Sequence, residues 1–131
     1  MIHPKKAYLE HVAIWVRDIH WHIDFFQQVF GMGMREVDGP ADAPRQYWTL
    51  GGLQFIHDPH HEAPEGRLAH LGVMCEDQEA ALAAAQAFGV TEMPQGPNWL
   101  RLPDGLAIEF IQARPASCVA QALSIDPRAE A

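Results

Sequence analysis

A chain of 131 residues, 48% hydrophobic and 20% charged, can close one hydrophobic core without staples, and no tract of it is compositionally simple. A net charge of −8 with only nine Lys and Arg excludes the basic stripe a nucleic-acid surface needs. No apolar run approaches the roughly 18–20 residues that span a bilayer, and the polar opening Met1-Ile2-His3-Pro4-Lys5-Lys6 holds no secretory core, so no membrane partner and a cytoplasmic location are expected.

The first periodic segment starts at Leu9. Val12, Ile14 and Val16 alternate with His11, Ala13 and Trp15, which is the period of a strand with two unlike faces. Asp18 then stands where a helix N-cap is wanted, and Ile19, Ile23, Phe26 and Phe30 recur at helical spacing up to the C-capping glycine Gly31. Strands are predicted over residues 34–37, 46–50 and 53–57, the last two joined through Gly51-Gly52.

Residues 58–66, rich in His, Pro and Glu, read as a solvent-exposed linker. The pattern then begins again. Residues 68–77 repeat residues 9–18 as Leu-x-His, an apolar strand, a charged residue and Asp. An alanine-rich helix follows over residues 78–88, capped by Asp77 and Gly89. Strands are predicted over 90–93, 98–102 and 106–111, with Pro103-Asp104-Gly105 as the turn. Each half is therefore β-α-β-β-β. The expected organisation is one domain over residues 7–112, with module one at 7–57, the linker at 58–66 and module two at 67–112. Residues 113–131 form a tail with a short helix near Val119. Cys75 and Cys118 share no metal-type spacing and are expected to be reduced.

Parity along the strands sorts the side chains. One face is aliphatic or aromatic: Val12, Ile14 and Val16; Leu71 and Val73; Leu53 and Phe55; Ile108 and Phe110. The other face carries His11, Gln54, His70 and Glu109, one polar residue per strand. Imidazoles and carboxylates buried without partners cost several kcal/mol, roughly. Four such groups on one face need to be hydrogen-bonded to each other, open to water in a cleft or bound to a metal, and two neutral imidazoles, a carboxylate and an amide oxygen suit a divalent cation such as Ni, Co, Fe, Mn or Zn.

These residues resemble the vicinal oxygen chelate superfamily, which contains glyoxalase I, methylmalonyl-CoA epimerase, extradiol dioxygenases and bleomycin resistance proteins. The likeness rests on the strand around His11, on Leu68-x-His70, and on Pro103-Asp104-Gly105 leading to Glu109-Phe110, and it spans roughly residues 7–112. It implies an α+β fold of two tandem modules whose curled mixed sheet surrounds a metal-binding cleft, with His11, Gln54, His70 and Glu109 as the metal ligands. A glutamine at position 54 is similar to the glyoxalase and epimerase pattern more than to the dioxygenases.

The implied activity is that of a lyase or isomerase using one divalent metal ion, which enolises a small hydroxycarbonyl or acyl substrate. Glu109 is the implied catalytic base. No other cofactor is implied, and a homodimer is expected. Two alternatives are an Fe(II) ring-cleaving dioxygenase and a metal-free protein that sequesters a drug.

The remaining chemistry-bearing residues are read more plainly. His20 and His22, two apart on a helix, point to different sides and are expected to be solvated. His57, at the end of module one, and His60 and His61 of the linker could form a second metal site or a substrate rim, but a flexible, solvent-exposed stretch is the expected reading. Trp15 shares the ligand face, whereas Trp48 and Trp99 suit either a pocket wall or the core. Arg45 and Arg101 are candidate anion contacts by type, and a second base is expected near Arg35, Glu36 and Asp38.

Overall fold

The computed structural model describes residues 1–30, 32–62, 67–116, 119–126 and 129. The fold is α+β, as expected, and the strands among the described residues make both parallel and antiparallel pairings. Contacts divide the chain into two compact units, His11–His70 and Met1–Glu10 with Leu71–Ala131.

The His11–His70 unit takes in strand β1 (Ala7–Val16) from His11 onward, helix α1 (Ile19–Phe30) and strands β2 (Met34–Asp38), β3 (Gln46–Thr49) and β4 (Leu53–His57). Their order is β2-β3-β4-β1. β1 runs parallel to β4, with Ala13 opposite Gln54, and such a pairing needs a crossover, which α1, β2 and β3 supply. The other pairings are antiparallel.

Asp18 caps α1, its Oδ1 accepting from the Trp21 N–H at 3.1 Å. The helix lays Ile19, Ile23 and Phe26 on a core of Val16, Tyr47 and Phe55, joined by Ile14, Val37 and Leu53. Phe55 is fully buried, which stabilises the unit by roughly 1.5–3 kcal/mol. Phe30 departs from the predicted stripe. It is 59% exposed and packs on Phe25 and Phe26 of its own helix, at ring distances of 5.9 and 5.7 Å.

The second unit contains the start of β1, strand β5 (Arg67–Cys75) from Leu71, helix α2 (Gln78–Ala85), strands β6 (Thr91–Met93), β7 (Gly96–Arg101) and β8 (Ala107–Gln112), and helix α3 (Val119–Leu123). The order here is β5-β8-β7-β6, with β5 parallel to β8. Asp77 caps α2 by accepting from the Ala80 N–H at 3.0 Å. The predicted helix end at Phe88 is partly corrected. The α-helical turns stop at Ala85, and Gln86–Phe88 tighten into a 3-10 turn closed by Gly89 at φ 71°.

Gln112 holds the start of α2, its Oε1 accepting from the Gln78 N–H and its Nε2 donating to the Glu76 carbonyl, both at 2.8 Å. Cys75, Met93, Leu100, Ala107, Ala113 and Val119 are buried in this unit. Cys75 is a free thiol, and burial pushes its pKa up, which suits inert packing. Cys118 and the predicted C-cap Gly31 lie outside the described residues. Among the described residues no helix is long and apolar enough to cross a membrane.

Candidate metal centre

β1 delivers His11 and β5 delivers His70, both nearly closed to solvent at 4% and 7% exposure. Their rings meet edge to face, with Nε2 atoms 3.0 Å apart. Two N–H groups cannot face each other at that distance, so at least one Nε2 presents a lone pair. Burial first, and the positive charge of His11 second, pull the His70 pKa from 6.5 to about 4. His70 is therefore a neutral imidazole at physiological pH, the form that ligates metals.

Within its own unit, each oxygen-bearing residue has the same kind of setting. Gln54 lies opposite Ala13 on one neighbouring strand and Trp48 on the other. Glu109 lies opposite Gly72 and Trp99. In both cases a tryptophan flanks the residue on one side and a small residue leaves space on the other. His11 precedes Ala13 by two positions and His70 precedes Gly72 by two, so each histidine shares a strand face with the residue that pairs with the oxygen donor. The tryptophans thus stand on the polar face. Strand register resolves what sequence left even for Trp48 and Trp99.

Gln54 is 2% exposed. Its Nε2 donates to Gln46 Oε1 at 2.6 Å, while its own Oε1 is buried with no hydrogen-bond partner among the described residues. Glu109 is half-buried. An orphaned buried amide oxygen and two imidazoles facing through their Nε2 atoms fit a bound divalent cation.

Other expectations are adjusted. His61, read as part of an exposed linker, has a side chain only 12% exposed. It lies over Trp15 at a ring distance of 5.9 Å, with Nε2 buried and without a hydrogen-bond partner among the described residues. Chain proximity to Pro59 and Pro64 hid this tertiary contact, and residues 63–66 lie outside the described part. His22 is half-buried, bonded through Nδ1 to the Asp18 carbonyl at 2.7 Å, so the solvated reading holds only for His20.

Arg45 is engaged by Asp38 at 3.0 Å, and Arg101 closes the Gly105 turn at 2.8 Å. Gln46 is the residue that sequence reasoning missed. Its alternation with the buried Tyr47 places it on the polar face, but only the register of β3 against β4 brings it to Gln54.

Residues 8–110 match the family model of the Glyoxalase/Bleomycin resistance protein/Dioxygenase superfamily, and the chain belongs to that superfamily. The resemblance to vicinal oxygen chelate proteins therefore stands. An uncharacterised Bacillus subtilis (strain 168) protein, YwbC, is 26% identical over 121 residues, which cover 79% of this chain and 96% of that one.

Among solved structures, methylmalonyl-CoA epimerase from Mycobacterium tuberculosis superimposes with a TM-score of 0.62 at 17% identity, covering 88% of this chain and 95% of the epimerase. The 2,3-dioxygenase LapB from Pseudomonas sp. KL28 gives 0.59 at 19% identity, over 82% of this chain and 44% of LapB. Both likenesses are of fold.

Proposed function

We propose that this protein is a divalent-metal-dependent lyase or isomerase that moves a proton next to the carbonyl of a small hydroxycarbonyl or acyl substrate. The observation that carries the proposal is the pair of buried Nε2 atoms of His11 and His70, 3.0 Å apart. His11 and His70 would hold the ion through those nitrogens, with Glu109 as the carboxylate ligand. The orphaned Gln54 Oε1 supports it as the fourth donor, and a glutamine there favours proton transfer over oxygen activation.

A bound cation of this kind supplies Lewis acidity to a carbonyl oxygen. The chain does the rest. His70 stays neutral because burial holds its pKa near 4, so its lone pair is available at neutral pH. The Glu109 carboxylate, released or loosened from the ion, would take the proton from the carbon beside the carbonyl and return it. Trp48 and Trp99 flank the oxygen donors and exclude water from the reacting face. In this reading residues 7–112 act as one domain with a tail beyond, the protein works in the cytoplasm, and it pairs as a homodimer.

The test is metal analysis of protein purified without chelator, followed by solvent deuterium exchange into acyl thioesters and hydroxycarbonyl compounds. One equivalent of cation, lost in His11→Ala and Glu109→Ala, together with deuterium at the carbon beside the carbonyl, is the expected outcome. Oxygen uptake with catechols and no exchange would replace it with ring cleavage. A cation-free wild type that retains a planar drug would replace it with sequestration.

A further inference from the structure

We infer that Asp38 acts through Gln46 to set which end of the Gln54 amide faces the His11 side of β1; this rests on the proposal that Gln54 gives an oxygen to the cation. A glutamine amide is nearly symmetric in shape, so packing alone cannot choose between presenting its oxygen and presenting its NH2 group. Hydrogen-bond polarity can. An ionised carboxylate only accepts. Asp38 uses Oδ1 for the Arg45 guanidinium at 3.0 Å, which leaves Oδ2 to accept from Gln46 Nε2 at 3.4 Å.

With its nitrogen turned to Asp38, Gln46 must turn its oxygen to Gln54. There it accepts from Gln54 Nε2 at 2.6 Å. Gln54 Oε1 is left over, buried and without a hydrogen-bond partner among the described residues. Reversing Gln54 would set two amide oxygens against each other at hydrogen-bond distance and aim N–H groups where the cation is proposed. The polarity thus propagates from a half-exposed carboxylate through two amides to the centre.

Strand register builds the relay. Asp38 lies opposite Gln46 on β2 and β3, and Gln46 lies opposite Ile56, two positions from Gln54 on β4. Gly39, at φ +99°, opens the turn that returns the chain to Arg45, whose N–H donates to the Asp38 carbonyl at 2.8 Å. Asp38 and Gln46 are positioning residues and touch neither substrate nor cation.

The experiment titrates Co2+ into cation-free protein and records the Gln54 side-chain NH2 signals by NMR before any metal is added. Gln46→Lys offers Gln54 only donors and forces the reversed amide. Its expected effect is a Co2+ affinity lower by about tenfold, with displaced Gln54 signals. The double variant Gln46→Glu with Asp38→Asn rebuilds acceptor and donor in the original sense and should hold Co2+ to within about threefold of wild type.

Equal losses in the lysine and the rebuilt variants, or wild-type behaviour of the lysine variant, overturn the relay. Should Gln46→Lys not fold, Asp38→Asn alone decides. Near-equal amide states halve the competent fraction, so Co2+ binding weakens about twofold and the Gln54 signals split or broaden; unchanged signals overturn it. If wild type binds no Co2+, the cation reading falls by itself, and the Gln54 signals of the variants still decide the relay.

Discussion

Acidification should unfold the metal-free protein through His70 more than through any ordinary surface histidine. Its pKa falls from 6.5 in the open chain to about 4 in the folded one. Between those values the unfolded chain holds a proton that the folded chain does not, so stability rises with pH across this window and is lost as pH drops through it. The contribution is complete above pH 6.5 and is gone below about pH 4. At roughly 1.4 kcal/mol per pH unit, the loss reaches about 2.5 kcal/mol by pH 4.5.

Urea unfolding of wild type and His70→Gln at pH 7.5 and pH 4.5 isolates this effect, because glutamine can still bond to His11 but does not titrate. Wild type should lose about 2.5 kcal/mol more than the variant over that interval. Parallel losses would show that the buried pair does not hold His70 neutral, and the argument for a ready metal ligand at neutral pH would go with it.

Three further outcomes follow from packing and backbone. Phe55→Ala, at a fully buried position between α1 and the sheet, should cost about 3–5 kcal/mol, read as a lower urea midpoint. Asp77→Ala removes the cap of α2 and should cost about 1 kcal/mol by the same measurement. Gly39→Ala should destabilise clearly more than Gly105→Ala, although both glycines sit near φ +100°. An added Cβ at Gly39 would meet the Arg45 backbone nitrogen at 3.0 Å, whereas at Gly105 it would meet nothing within 4 Å. Equal midpoints for the two alanine variants would contradict the close approach.

What the sequence made legible was local or periodic. The bounds Ile19–Phe30 followed from four apolar positions and a capping Asp, and alternation in β1 separated His11 from Val12 before any register was known. The repeat of Leu-x-His singled out His70 by analogy with His11. Strand ends shifted by one or two residues where hydrogen bonding outran hydrophobicity, as in β7, which begins at Gly96.

The supports of Gln54 were not legible. Gln46 meets Gln54, and Asp38 meets Gln46, through cross-strand pairings that the sequence does not specify until the connections through Gly39 and through Gly51-Gly52 have fixed the two registers. The place of His61 over Trp15 was hidden for a similar reason, since a run of His and Pro carries no periodicity to predict a face.

Among the four proposed ligands the two halves differ at one repeated position, an amide at Gln54 where its counterpart Glu109 is a carboxylate, and that asymmetry sets the formal charge of the proposed centre. The protein's four side chains would bring a single negative charge to a dication, leaving a surplus of one positive charge. A site so biased attracts an anion as it forms and gives little help to leaving cations, so Gln54→Glu would make the centre electrically neutral and weaken its preference for substrates that become negative during reaction.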